Sequence, residues 1–143
     1  LIAYVAVLAG FLWLAVGKTW WIDQQVKELC AKDGGNKVYE TVKLPAYMFN
    51  KWGQFSVPDK LYMKPSDEYY SKSEDTFLKQ GNPQLWRYHT LIFRQSDGKL
   101  LGEAVLYGRG GGGLPGPWHG SSFNCPDLTK QKSIESSIFL KAE

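Results

Sequence analysis

Few residues in this sequence have a type and spacing that would give them chemistry on their own. The two cysteines, Cys30 and Cys125, form no C-x-x-C pair, which excludes a thioredoxin-type redox motif and a zinc ribbon. We read them as a disulfide, which implies an oxidising compartment and, for a bacterial chain, the periplasm. Two separate buried thiols are the alternative. The two histidines, His89 and His119, share no i,i+2 or i,i+4 spacing and neither is near a cysteine, so no metal site is expected. The carboxylate pairs Asp67/Glu68 and Glu74/Asp75 fall in polar, exposed stretches, where ordinary acidity suits them poorly to proton transfer. No G-x-S-x-G occurs, and Ser121 and Ser122 following His119 do not make a triad. The glycine run from Gly110 to Gly120 lacks the G-x-x-x-x-G-K-[ST] pattern of a phosphate loop, and Pro115 and Pro117 remove backbone donors from it. No catalytic residue, cofactor or metal is therefore expected, and the chain does not read as an enzyme.

Two groups of residues suit contact with something else. Leu114, Pro117, Trp118 and His119 make an apolar cluster inside the glycine-rich loop, fit for a protein partner. Trp86, Tyr88, Tyr107 and Arg109, together with Trp118 and Arg87, can stack a sugar or hold an acidic group. The bland account of the second group is that half of it is core. The chain has six Trp, eight Tyr and seven Phe, enough bulky material for a core and for an interface as well.

These residues depend on a first stretch of another kind. Leu1 to Gly17 contains no charged side chain. Extended through Lys18 and Thr19 to Trp20, Trp21 and Ile22, it reaches the roughly 20 residues that a hydrocarbon core about 30 Å thick requires. Lys18 can snorkel to the headgroups, and the paired tryptophans fit an interfacial belt. Residues 1–22 are therefore read as one transmembrane helix, and 23–143 as a single extramembrane domain. Ala15-Val16-Gly17 offers a small-x-small cleavage pattern, but the run is read as a retained anchor. The chain opens on Leu1, and the charges that orient a membrane segment are expected upstream. Near the membrane Lys18, Lys27 and Lys32 are matched by Asp23, Glu28 and Asp33, so the cysteines carry the topological reading. Ala3, Ala6 and Gly10 make a small-residue face suited to packing against another helix.

Net charge is +3 with no basic block, which argues against a nucleic-acid partner. Ile22, Val26, Leu29 and Cys30 form one helical stripe, so the helix is expected to continue to about Lys32 and end at Gly34-Gly35 in the left-handed manner. Lys37 to Leu44 alternates and predicts a first strand. Pro45 opens a short helical turn over Ala46 to Trp52. Tyr69 to Gln80 predicts a polar strand. Leu85 to Gln95 and Lys99 to Arg109 flank Ser96-Asp97-Gly98 and predict the central hairpin, with either a two-residue turn or a three-residue bulged loop. Gly110 to Gly120 is expected to be irregular, and Ser133 to Lys141 to be a closing strand. The fold class is α+β: a single N-terminal transmembrane helix, then a small antiparallel sheet domain of about four strands.

The runs CAKDGGNKVYETVKL (Cys30 to Leu44), SDGKLLGE (Ser96 to Glu103) and LPGPWHGSSFNCP (Leu114 to Pro126) resemble small membrane-anchored proteins of unassigned function in proteobacteria. The resemblance covers about half of the domain and implies neither an activity nor catalytic residues. The residues themselves point to a non-catalytic accessory or structural subunit of a larger membrane complex, anchored in the bacterial inner membrane with its domain in the periplasm. Other membrane subunits are the expected partners. The competing expectation is a membrane-tethered periplasmic module that binds an envelope ligand.

Overall fold

The apolar N-terminal run is helical, and the helix does not stop where the apolar residues do. The computed structural model describes residues 1–113 and 120–143. In it α1 (Ile2–Leu12), a π-helical turn (Trp13–Gly17) and α2 (Lys18–Asp33) follow one another without a break. In the wide turn the Lys18 N–H donates to the Trp13 carbonyl, five residues back. The 32-residue rod has an 18-residue window of mean hydropathy 1.7, none of it buried. At about 1.5 Å per residue the rod is roughly 48 Å long, against a hydrocarbon core of about 30 Å. It is long and apolar enough to cross a membrane, with its last turns to spare.

After Gly34 the chain forms β1 (Gly35–Val38), β2 (Val42–Leu44), a 3-10 turn (Ala46–Met48), β3 (Tyr69–Lys79), β4 (Gln84–Arg94), β5 (Leu100–Gly110), β6 (Ser122–Cys125), α3 (Ile134–Ile138) and β7 (Phe139–Lys141). The layout is α+β, with one long apolar helix followed by a small antiparallel sheet domain. The main sheet has the order β1-β5-β4-β3, and β6 also pairs with β5. The expected Leu85–Arg109 hairpin is thus its centre.

The chain forms two compact units: residues 1–34, 76–87 and 106–126, and residues 35–75, 88–105 and 127–143. In the first, β6 lies antiparallel to the second half of β5, with Tyr107 opposite Cys125 and Gly110 opposite Ser122. Ile22 and Val26, four apart on α2, are its buried helix residues, and Leu85 and Tyr107 are buried on its strands. In the second, β1 lies antiparallel to the first half of β5, with Gly35 opposite Val105. Its core joins Leu44, Tyr69, Ile92, Leu101, Ile134, Ile138 and Phe139. Phe55 packs on Phe139 with ring centres 4.7 Å apart, and Tyr69 meets the same ring edge-on at 4.9 Å.

Several local expectations are corrected. The strand over Lys37 to Leu44 is two strands. The N–H groups of Tyr39 and Glu40 both donate to the Leu101 carbonyl, which interrupts the ladder. The chain then leaves for a second, parallel pair in which Val42 faces Phe139. Alternation marks extended backbone but not a change of partner. The helix ends at Gly34 in extended geometry (φ −68°, ψ 150°), and the left-handed φ falls on Gly35. Gly34 is required by close approach, because an added Cβ would sit 2.6 Å from the Cys30 sulfur. The hairpin loop has four residues, Gln95 to Gly98, since the Arg94 N–H donates to the Lys99 carbonyl at 2.9 Å. The Ser133–Lys141 strand is mostly helix. Ser133 caps it by accepting from the Ser136 N–H at 3.2 Å, and Ile134 and Ile138, four apart, are both buried. Gly110 closes β5, and Ser122–Cys125 is a strand too short, at four residues, to stand out in the sequence.

Candidate functional site

One set of interacting polar groups lies in the first unit, where α2 meets the ends of the long strands. Helical spacing sets Asp23, Cys30 and Asp33 along α2, and β5 presents Tyr107 and Arg109 two residues apart, on one face of the strand. Arg109 is 3% exposed. Its Nε and Nη2 donate to the two carboxylate oxygens of Asp23, and its Nη1 donates to the Gly111 carbonyl. Ten residues further along the helix, Asp33 accepts from the Tyr107 hydroxyl at 2.7 Å and from Arg87 Nη2 at 3.0 Å. Arg87 Nε also donates to the Tyr107 hydroxyl, at 3.1 Å. Burial, and donation to the Asp33 carboxylate, raise the Tyr107 pKa above its ordinary value. Burial works against the charge of Arg87, yet its bonds to Asp33 and Tyr107 prevail and raise its pKa.

Between these two clusters Cys30 is bonded to Cys125, with Cα atoms 5.9 Å apart, inside the range a disulfide demands. Lys27 lies over the Phe123 ring at 5.7 Å. The helix is thereby joined to β6 covalently, and to β5 and β4 by ion pairs. The side chains of this region hold the structure together. The guanidinium of Arg109 and the hydroxyl of Tyr107 are already engaged.

A second cluster lies in the second unit. Glu103 accepts from the Tyr39 hydroxyl at 2.7 Å and meets His89 Nε2 at 2.6 Å. The bond from Tyr39, with help from His89 and against partial burial, holds the Glu103 carboxyl below the ordinary range. Nearby, Glu40 pairs with Arg94 and Lys99, and its carboxyl is also held low, chiefly by Lys99. Among the described residues, no group of three His, Cys, Asp or Glu is placed to hold a metal ion. Two clefts of this unit, of about 560 Å³ along Pro65–Tyr69 and Arg94–Ser96 and about 350 Å³ along Asn50, Gln54–Val57, Ser133, Glu135 and Ser136, include none of the expected ligand-contact residues.

Of those expected residues, Trp86, Tyr107 and Arg109 belong to the first unit and Tyr88 to the second. Trp86 covers Gly108 and Gly110, where an added Cβ would meet its ring at 2.5 and 2.8 Å. Tyr88 is 37% exposed. Ala3, Ala6 and Gly10 are exposed on the rod, and a Cβ on Gly10 would touch nothing within 4 Å. The expected partner contact Leu114, Pro117, Trp118 and His119 lies outside the described residues. Sequence reasoning paired the cysteines but missed both acid–base ties of the junction. Asp23 and Asp33 stand ten apart, with no local mark to assign them to Arg109 and Arg87. No known family model, curated protein or solved structure matches the chain.

Proposed function

We propose that this chain is a single-pass membrane protein acting as a non-catalytic accessory or structural subunit of a larger membrane complex, with its folded part in the periplasm. The observation that carries the reading is the junction. An exposed apolar helix continues without a break into α2, and α2 is fastened by Asp23–Arg109, Cys30–Cys125 and Asp33 with Arg87 and Tyr107. Such fastening suits a part whose task is to hold a folded surface at a set position over the bilayer. The disulfide supports an oxidising compartment. A ligand-binding module built on Tyr107 and Arg109 would first have to release them from Asp33 and Asp23, which makes that reading the weaker one. Purification in mild detergent through a C-terminal tag tests the proposal. A stoichiometric membrane-protein partner is the expected result, and recovery as a lone monomer would overturn it.

A further inference from the structure

The polar part of the rod meets the rest of the first unit at three successive levels. Thr19 lies beside Gly112, where an added Cβ would come within 3.0 Å of Thr19 Cγ2 and 2.8 Å of Pro83 Cβ. The Gly112 N–H donates to Asn82 Oδ1, which draws the β3–β4 turn to the same level. Next along the helix, Asp23 holds Arg109, and after it Asp33 holds Tyr107. The ties climb α2 as they step back along β5, so the two run antiparallel. The C-terminal end of β5 and the turn around Asn82 therefore lie level with Thr19, where the apolar run gives way to polar residues.

Several apolar and basic side chains are exposed at that level. Trp20 and Trp21 are 57% and 55% exposed, and Phe77 and Leu78 at the end of β3 are 54% and 46% exposed. Lys79 is the last residue of β3, and Leu78 and Phe77 lie only about 3.4 and 7 Å further along it. Lys18 and Lys79 are exposed cations, while the first acid along the helix, Asp23, is paired with Arg109. Tryptophan rings, lysines and single apolar side chains together are the composition of a membrane–water interface. Resting on the membrane-spanning reading of the rod, we infer that this end of the first unit is a second, peripheral membrane contact. Leu78, Lys79, Trp20, Trp21 and Lys18 are seated in the anionic phospholipid headgroups of the bilayer the rod enters.

The test places a benzophenone amino acid at Leu78, at Leu8 or at Lys32, in separate preparations of the whole chain. Each is reconstituted in nanodiscs of phosphatidylcholine with or without phosphatidylglycerol, and intact disulfide is verified by mass under non-reducing conditions. Lys32 is thirteen residues past Thr19, roughly 20 Å along the helix, and serves as the position beyond the lipid. Expected on illumination are lipid adducts at Leu8 and Leu78 and none at Lys32. The Leu78 adduct should rise about five-fold with phosphatidylglycerol, the effect of one lysine near an anionic surface, and this rise should vanish in Lys79→Gln. Adducts at Leu8 without any at Leu78 would overturn the headgroup contact and leave the span standing. No adduct at Leu8 would remove the span and the contact with it. Equal yield at Leu78 in both lipids would overturn the anionic preference.

Discussion

Arg109 is charged, almost wholly buried, and paired with a carboxylate whose own side chain is 22% exposed. Truncating one partner of a buried pair leaves the other desolvated, which costs about 3–5 kcal/mol, and the water that reaches Asp23 puts this case near the low end. Arg109→Ala should therefore destabilise the chain by about 3 kcal/mol in detergent-solubilised unfolding. Adding Asp23→Ala should cost less than the sum of the two single changes, because the orphaned charge is gone. If Arg109 served a ligand instead, its removal would leave stability nearly unchanged. The acids of the second unit predict a pH dependence. The carboxyls of Glu103 and Glu40 are held below the ordinary carboxylate range in the folded state. Their stabilisation is present above the unfolded value and is lost as pH falls through the lower folded one. Thermal midpoints should drop on acidification below about pH 4.5. Glu103→Gln should lower the neutral midpoint and flatten that acid slope. Little of this was legible from residue types: Arg109 read as a ligand group because a lone arginine on a strand carries no mark of the helix acid that will meet it.

Elements were more legible than their partners. The apolar rod and the long β4–β5 hairpin follow from length and period, and both are present, as is the Cys30–Cys125 bond. What escaped was decided by distant contacts. Lys37–Leu44 has the alternation of one strand, but Leu101 and Phe139 divide it between two sheets. Ser122–Cys125 alternates over only four residues, too few to mark a strand, and its place on β5 comes with the disulfide beside it. A further prediction belongs at this scale. The bond spans a sequence separation of 95. Closing so long a loop removes roughly 4–5 kcal/mol of unfolded-state entropy in the chain model. Cys30→Ser with Cys125→Ser should lower unfolding stability by that order while the ion pairs at Asp23 and Asp33 still hold α2. A change below about 1 kcal/mol would mean the unfolded chain is already constrained there.

For the whole molecule, the rod decides what the rest can do. Nothing between Ile2 and Asp33 interrupts the helix, and the π-helical turn over Trp13–Gly17 is a widening, not a joint. A shaft without a swivel transmits rotation as well as position. Each residue of an α-helix advances the azimuth by about 100°, so the side of the shaft bearing Ala3, Ala6 and Gly10 keeps a set angle to the side bearing Asp23 and Val26. The wide turn contributes to that angle, because a wider turn advances the azimuth less per residue. One alanine inserted after Leu12 would swing the two sides apart by about 100° while lengthening the shaft only about 1.5 Å. Seven would bring them back to within about 20°. Recovery of the proposed partner complex should follow the same cycle, lost with one inserted residue and largely restored with seven. Equal recovery at every insertion would mean that the torsional phase of the shaft carries no information.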